Sequence, residues 1–195
     1  DETSTVKDYP VNEEFFENGR IRDEVKKVIF LGGSQGAKAI NDFALKVASY
    51  LEENNIKIIH QTGKNDFQRV KLAYDKLGIK ADVFDFSDDI SKKMSKADFA
   101  ISRSGASTLW EMAANSLPAL FIPYPYAASD HQYSNAKFLY EKDLCFISRE
   151  KELSLEILKE CLKSDLTNIS KGLTKAINFG ATKTMVDYIS YKNEE

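Results

Sequence analysis

Short apolar runs alternate with helical patterns along most of the chain, and this alternation constrains the fold more than any other feature. The runs predict strands at 28–31, 56–60, 83–86, 99–102, 119–122 and 144–147. Apolar residues spaced three or four apart predict helices between them, and helical patterns fill most of the chain after Ser154. Strands that alternate with helices form a parallel sheet with right-handed crossovers. The sequence therefore predicts an α/β fold with a doubly wound parallel sheet.

Composition limits the classes of function. A chain of 195 residues is long enough for one domain with a core. We expect residues 1–24 to be a tail or interdomain segment outside the core, and residues 25–195 to be the domain. The net charge of -3 argues against broad nucleic-acid binding, and no stretch approaches the roughly 20 apolar residues of a membrane span. Cys145 and Cys161 are predicted to be buried thiols rather than disulfide partners or metal ligands.

Glycine and polar residues gather directly after the predicted strands. They form the segments 32–36, 61–63, 87–89, 103–105 and 123–132. In open parallel sheets, ligands bind outside the carboxyl ends of the strands. The clustering therefore predicts a ligand site at that edge of the sheet.

The segment 103–111, Arg-Ser-Gly-Ala-Ser-Thr-Leu-Trp-Glu, indicates the chemistry of the ligand. If its helix begins near Gly105, one helix face carries Ser104, Ser107, Thr108 and Glu111. Hydroxyls beside the positive end of a helix suit a phosphate. A carboxylate one turn further suits a diol, since its oxygens accept from adjacent hydroxyls. Phosphate and diol together predict a nucleotide.

The segment 32–37, Gly-Gly-Ser-Gln-Gly-Ala, has two interpretations. Its glycines permit a sharp turn and a close approach to a ligand, so that the amides of residues 34–36 surround an anion. Alternatively, it is only a tight turn between strand and helix, with Ser34 as the N-cap. It matches neither the dinucleotide fingerprint nor a P-loop.

The segment 86–90 and His60 also have structural explanations that compete with functional ones. Asp88 or Asp89 is predicted to cap the helix at 90–96 rather than to bind a metal. Ser87, at the strand end, is placed to offer main-chain groups to a base. His60 is predicted to be a core histidine.

The segment 123–132 is a loop, punctuated by prolines, that leads into a helix. Asp130 is a candidate N-cap of that helix. Asp130, His131 and Gln132 also offer donors and acceptors with which a polyhydroxylated sugar would be bound. The tyrosines at 124 and 126 suit either loop packing or an interdomain surface.

Together these segments resemble the donor-binding half of the MurG family, which transfers N-acetylglucosamine from UDP to a lipid-linked muramoyl-pentapeptide in peptidoglycan synthesis. The resemblance extends from about Tyr9 to Tyr188. It rests on Gly-Gly-Ser-Gln-Gly-Ala at 32–37, His-Gln-Thr-Gly at 60–63, Phe-Ser-Asp-Asp at 86–89, Arg-Ser-Gly-Ala-Ser-Thr at 103–108 with Glu111, Leu-Pro-Ala-Leu-Phe-Ile-Pro-Tyr-Pro at 117–125, and Asp-His-Gln at 130–132 with Asn135.

The resemblance implies a Rossmann-like doubly wound parallel sheet, the C-terminal domain of a GT-B glycosyltransferase. It assigns Ser34 to the nucleotide, the main chain of Ser87 to uracil, the helix start at 106–108 to the diphosphate, Glu111 to ribose and Gln132 to N-acetylglucosamine. The residues implied to bind UDP-N-acetylglucosamine are Gly33, Ser34, Gln35, Gly36, Ser87, Arg103, Ser104, Gly105, Ala106, Ser107, Thr108, Glu111, His131 and Gln132. No cofactor or metal is implied, since helix ends and hydroxyls would stabilise the leaving diphosphate.

Two departures from the family pattern affect function. The family's Asn-Pro-Val-Arg junction is Tyr-Pro-Val-Asn at 9–12, so Asn12 replaces its arginine. The family's acceptor-binding domain, with the candidate general base, is absent from this sequence. We therefore expect the chain alone to bind UDP-sugar weakly without transferring it. The whole enzyme is implied to convert lipid I to lipid II at the cytoplasmic face of the bacterial membrane, without a nucleic-acid partner.

Three other functions also fit the sequence. One is a small subunit that borrows an acceptor-binding partner, as in the dolichol pathway. Another is a UDP-sugar epimerase of related architecture, which needs catalytic carboxylates and histidines on both domains. The third is a non-catalytic nucleotide-binding or protein-interaction module, which needs no selectivity for uridine.

Overall fold

A computed structural model describes residues 9–33 and 36–180, and these residues form a six-stranded parallel sheet. The strands are β1 (Lys27–Leu31), β2 (Lys57–Gln61), β3 (Ala81–Phe84), β4 (Phe99–Ser102), β5 (Ala119–Phe121) and β6 (Phe146–Ile147). Their order is β3-β2-β1-β4-β5-β6, and every neighbouring pair is parallel. This is the strand order of a doubly wound Rossmann-like sheet. The predicted fold class is confirmed.

The helices within the described residues connect and cover these strands. They are α1 (Glu13–Glu17), α2 (Lys38–Glu53), α3 (Phe67–Leu77), α4 (Ile90–Ser95), α5 (Ala106–Ala114), α6 (His131–Tyr140), α7 (Leu155–Lys163) and α8 (Leu166–Leu173), with 3-10 helices at Ala128–Asp130 and Glu150–Glu152. Strands are added in one direction after β1 and in the other after β4. Right-handed crossovers therefore place α2 and α5 on opposite faces of the sheet. No described helix is long and apolar enough to cross a bilayer.

The central strands β1 and β4 are buried on both faces. Val28, Ile29 and Phe30 are fully buried, and all four residues of β4 are buried as well. Strands covered on both faces need apolar side chains at successive positions, which is why they are continuous apolar runs in the sequence.

Element boundaries follow the predicted ones where burial is strong. The helix at 67–77 and the strand at 99–102 have the predicted bounds. The largest difference is at β3, which spans Ala81–Phe84 rather than the predicted 83–86. It is an edge strand in which Asp82 is exposed and the other three residues are only half-buried, so its apolar pattern is weak.

The expectation that residues 1–24 lie outside the core is wrong for part of this segment. Val11 and Phe15 are buried in the main hydrophobic cluster, and Arg22 is completely buried. Asn12 caps α1, with its side-chain oxygen accepting from the Glu14 amide at 3.1 Å. Residues 9–24 are therefore packed against the domain, whereas residues 1–8 lie outside the described residues.

The two cysteines and His60 are core residues, as predicted. Cys145 and Cys161 are free and buried. Burial raises the pKa of each thiol to about 12. His60 is fully buried, and burial lowers the pKa of its imidazole to about 3, so the ring is neutral at physiological pH.

Candidate functional site

Two adjoining cavities lie at the carboxyl edge of the sheet. The inner cavity is lined by residues that include Gly33, Gln61, Thr108 and Glu111. The middle cavity is lined by Gly32, Gly36, Ala37, Lys38, Ala39, Arg103, Tyr124, Gln132 and Glu150. Arg103 lines both. The glycine turn after β1 and the helix that carries Glu111 therefore meet at one rim of the molecule.

The helix α5 begins immediately after β4 and directs its N-terminus toward this rim. Gly105 is the N-cap in an extended conformation, and a Cβ at this position would meet no atom within 4 Å. The first amides of a helix have no partner within it and carry the positive end of the helix dipole. The start of α5, from Ala106 to Thr108, is therefore a ready anion site.

Three of the four residues expected on one face of α5 lie there. Ser107 Oγ donates to Glu111 Oε1 at 2.6 Å, and Thr108 lines the inner cavity beside Glu111. Glu111 is only half-buried, and each carboxylate oxygen can accept more than one hydrogen bond. Glu111 thus retains the capacity to accept from a diol.

Ser104 corrects the expectation of a four-residue face. It precedes the helix and is fully buried, so its hydroxyl does not share the exposed face with Ser107. Its Oγ has no partner among the described residues, while its carbonyl accepts from Asn135 Nδ2 at 3.1 Å. The main chain of Ser104 therefore connects the turn after β4 to α6.

The glycine turn after β1 requires glycine for conformational and steric reasons. Gly33 and Gly36 have φ of 75° and 83°, values that favour glycine. A Cβ on Gly36 would lie 2.6 Å from the Thr62 carbonyl oxygen. The N-cap position of α2 is occupied by Ala37, so the interpretation of Ser34 as its N-cap is wrong. Ser34 and Gln35, both assigned to the ligand, lie outside the described residues.

A buried network holds the neighbouring turn against which Gly36 packs. Asn41 Nδ2 donates to the Thr62 carbonyl at 3.1 Å and to Asp66 Oδ2 at 2.7 Å. The imidazole of His60 lies between Asn41 Oδ1 at 3.0 Å and the Tyr74 hydroxyl at 2.9 Å. Since every member is hydrogen-bonded, the network fixes the position of Thr62 and of the glycine turn above it.

Arg103 lies at the rim, but its guanidinium is already engaged. Nη1 donates to the carbonyls of Ile122 at 3.0 Å and Pro123 at 3.3 Å, and Nη2 donates to Glu150 Oε1 at 2.5 Å. The guanidinium also lies over the Tyr124 ring, 5.4 Å from its centroid. Arg103 therefore joins the segments after β5 and β6 and places a partly neutralised charge between the two cavities.

Of the polar residues at the start of α6, Gln132 lines the middle cavity and Asp130 does not. Gln132 Oε1 accepts from the Tyr124 amide at 3.0 Å, and among the described residues none accepts from its NH₂ group, which is available toward the middle cavity. Asp130 is the N-cap residue of α6 without a side-chain capping bond, because its carboxylate binds Arg149 at 2.8 and 2.5 Å. His131 is exposed at the first position of α6 and does not line either cavity.

The segment after β3 departs from the expected arrangement. β3 ends at Phe84, so Ser87 lies three residues beyond the strand, and it does not line the inner cavity. Asp89 occupies the N-cap position of α4 but makes no capping bond with its side chain, which instead pairs with Lys92 at 3.2 Å. Within the described residues, no cluster of three or more His, Cys, Asp or Glu could hold a metal.

Several residues that line the inner or the middle cavity were not among the predicted site residues. Gln61, Tyr124, Lys38 and Glu150 are among them. The polar segments after β2 and β5 were a sequence signal for Gln61 and Tyr124. The sequence around Glu150 carries no signal of this kind, because Glu150 reaches the site through an ion pair with Arg103, which is 47 residues away in sequence.

The sequence is similar to a family of glycosyltransferases. Residues 27–190 match the model of the glycosyltransferase family 28 C-terminal domain. The UDP-N-acetylglucosamine–N-acetylmuramyl-(pentapeptide) pyrophosphoryl-undecaprenol N-acetylglucosamine transferase of Sulfurimonas denitrificans is 53% identical over 186 residues, which cover 95% of this chain and 55% of that protein. The equivalent transferase of Campylobacter jejuni RM1221 is 57% identical over 169 residues, which cover 86% of this chain and 49% of that transferase.

Solved structures agree with the sequence comparison. The crystal structure of Acinetobacter baumannii MurG superimposes with a TM-score of 0.74 at 28% identity, over 91% of this chain and 53% of that one. The chain thus spans about half the length of the relatives that it matches. The family match covers most of the chain and includes both the glycine turn and the helix of Glu111. The chain belongs to glycosyltransferase family 28 and forms the C-terminal domain of that family.

Proposed function

We propose that this chain is the donor-binding domain of an inverting glycosyltransferase that transfers N-acetylglucosamine from UDP-N-acetylglucosamine to undecaprenyl-pyrophosphoryl-N-acetylmuramyl-pentapeptide. In this reaction the C4 hydroxyl of the muramyl sugar attacks C1 of the donor sugar, and UDP leaves. The product is the lipid-linked disaccharide precursor of peptidoglycan. Relatives with 50% identity or more are named for this transfer.

One observation carries the proposal. The positive-φ glycine turn after β1 borders both the inner and the middle cavity, and Thr108 in the first turn of α5 and Glu111 border the inner cavity. Amides at a turn and a helix start suit a diphosphate, and a carboxylate one turn further suits a ribose diol. This combination is the recognition chemistry of a nucleoside diphosphate.

The charge that develops on the leaving UDP needs stabilisation. A helix N-terminus contributes roughly 0.3–2 kcal/mol to a nearby charge. A preorganised donor contributes about 3–4 kcal/mol at a transition state. The main-chain amides in the first turn of α5 and the Thr108 hydroxyl supply such donors where the diphosphate would lie, while the Ser107 hydroxyl donates to Glu111. We assign further binding roles to Gly33, Ser34, Gln35, Gly36, Arg103 and Gln132 and to the main chain of Ser87. The roles that the resemblance implies for Ser104 and His131 stay predictions, since neither residue lines the inner or the middle cavity.

We assign residues 25–195 to the donor-binding domain and residues 1–24 to the segment that joins it to an acceptor-binding domain. The general base belongs to that other domain, so the chain alone binds the donor without transferring the sugar. The acceptor of the relatives is attached to undecaprenol. The substrate is therefore held in a membrane, and we place the enzyme peripherally at the cytoplasmic face, where UDP-sugars are available.

Nucleotide selectivity tests the proposal directly. We expect isothermal calorimetry of the chain to show binding of UDP and of UDP-N-acetylglucosamine, and much weaker binding of ADP, because the main chain of Ser87, which we assign to the base, would pair with an edge of uracil. Equal affinity for UDP and ADP would contradict a uridine site and favour a general nucleotide-binding module. Release of N-acetylmannosamine from UDP-N-acetylglucosamine would instead favour an epimerase.

Replacing Gln132 with alanine distinguishes the sugar from the nucleotide. We expect Gln132→Ala to weaken binding of UDP-N-acetylglucosamine by about 0.5–1.5 kcal/mol, the usual contribution of a neutral hydrogen bond, with little change for UDP. Calorimetry with both ligands measures the difference. Gln68→Ala, on the exposed surface of α3, is the matched control and should change neither affinity. Equal losses for the two ligands in Gln132→Ala would show that Gln132 does not bind the sugar.

A further inference from the structure

A large cleft continues from the middle cavity along the rim of the sheet. This outer cleft is bounded by α2, by the segment after β5 and by the 3-10 helix at Glu150–Glu152. Its volume is about 910 Å³, which is within the range of ligand sites. Ala39 and Glu150 line both the outer cleft and the middle cavity, so the two are continuous.

The three spaces follow one another in a fixed order. The inner cavity shares Arg103 with the middle cavity, and the middle cavity shares Ala39 and Glu150 with the outer cleft. In the proposed function the nucleotide occupies the inner end and the transferred sugar lies beside Gln132. An acceptor that attacks C1 of that sugar must approach from beyond it. The outer cleft is the space beyond it.

The walls of the outer cleft suit an extended chain with small apolar groups. Pro125 and Tyr126 contribute exposed apolar surface, and the buried side chains of Phe43 and Pro123 lie behind it. Tyr126 is 83% exposed, although its ring packs edge-on against Tyr124 with a centroid distance of 5.7 Å. A large exposed aromatic ring at the mouth of a cleft is available to a ligand.

The outer cleft holds two lysines that can face an anion. Two of its three carboxylates are paired with cations, Asp42 with Lys38 and Arg69 and Glu150 with Arg103, whereas Glu152 is exposed and accepts from the Arg149 amide. Arg149 in turn is paired with Asp130. Lys46 and Lys151 are exposed in the outer cleft and have no acidic partner among the described residues.

We propose that the outer cleft binds the peptide of the acceptor, with Lys46 and Lys151 facing its carboxylates; this inference rests on the proposed function. The relatives act on an N-acetylmuramyl-(pentapeptide) acceptor. The amide to the muramyl group consumes the peptide N-terminus, so the C-terminal carboxylate has no compensating terminal ammonium. Five extended residues span at most about 18 Å, so the peptide reaches away from the sugar along the rim.

A titration of the labelled chain, saturated with UDP, tests this inference. The probe is N-acetylmuramyl-pentapeptide without lipid or pyrophosphate, and the readout is the set of backbone amide shifts in NMR spectra. We expect shifts at Lys46, Tyr126 and Lys151. The double variant Lys46→Glu with Lys151→Glu should weaken peptide binding about tenfold or more through loss of two charge-assisted contacts, with the Kd for UDP unchanged.

Two controls make the result specific. Lys80→Glu with Lys175→Glu makes the same charge change at two exposed sites that do not line the outer cleft, and it should leave peptide binding intact. Inorganic pyrophosphate is titrated in parallel to separate the peptide carboxylate from the acceptor's diphosphate. Pyrophosphate binding that depends on Lys46 and Lys151 as strongly as peptide binding does would overturn the peptide assignment.

The remaining outcomes separate this inference from the function on which it rests. If UDP binds but the peptide shifts no residue of the outer cleft, or binds both double variants equally, the inference fails and the proposed function stands. If UDP does not bind, the proposed function fails, and the order of ligands along the rim fails with it.

Discussion

The Glu111→Ala variant is expected to bind UDP more weakly by about 1.5–3 kcal/mol, the usual contribution of hydrogen bonds to a charged group. Glu111 is half-buried at the inner cavity, and its Oε1 already accepts from Ser107. The variant removes both acceptor oxygens that we assign to the ribose. Calorimetric titration with UDP measures the loss.

The comparison with deoxyribose makes the prediction specific to the diol. We expect 2′-deoxy-UDP to bind the natural chain more weakly than UDP, and Glu111→Ala to bind the two equally. Glu160→Ala, on the exposed surface of α7, is the matched control and should retain the natural affinity. An unchanged Kd in a folded Glu111→Ala protein would remove Glu111 from the site.

The Arg22→Met variant is expected to lose about 3 kcal/mol or more of unfolding free energy, because each buried polar group without a partner costs about 1–3 kcal/mol. The guanidinium donates to the carbonyls of Ala97, Arg20, Met94 and Asn115 and to the Asn115 side chain. Methionine fills much of the volume but donates nothing. Urea denaturation followed by circular dichroism measures the change.

The charge state of Arg22 supports this expectation. Burial lowers the pKa of its guanidinium to about 9, which still leaves the group charged at neutral pH. The loss in Arg22→Met therefore combines lost hydrogen bonds with several carbonyls left unpaired. Lys80→Ala removes an exposed cation and should change stability by less than about 0.5 kcal/mol. A similarly small loss in Arg22→Met would show that the N-terminal segment is not anchored through this residue.

The accuracy of the predicted elements depended on how strongly each one is buried. β4 was located correctly because both of its faces are covered and its residues form one apolar run. The helix at 67–77 was located correctly because it has a clear apolar periodicity and ends at Gly78, which has a φ of 68°. β3 was displaced because an edge strand with an exposed Asp82 carries a weaker signal.

The candidate site was predictable where its residues follow strands directly. Parallel strands bring their carboxyl ends to one edge, so the glycine turn and the segment 103–111 were expected to meet there without knowledge of the strand order. Side-chain orientation was less accessible. Ser104 lies at the correct end of β4, but it precedes the helix and its hydroxyl is buried.

Local pattern by itself determined the α/β class, the edge at which polar residues gather and the pairing of a helix start with an acid one turn later. These features depend on backbone periodicity and on neighbours a few residues apart, which the sequence records directly. Tertiary structure decided which distant groups meet. It pairs Glu150 with Arg103, places Arg22 among the carbonyls around Asn115, and brings Lys46 and Lys151 to the same cleft. Such contacts have no local signature, because they form only when packing brings separate segments within hydrogen-bond distance.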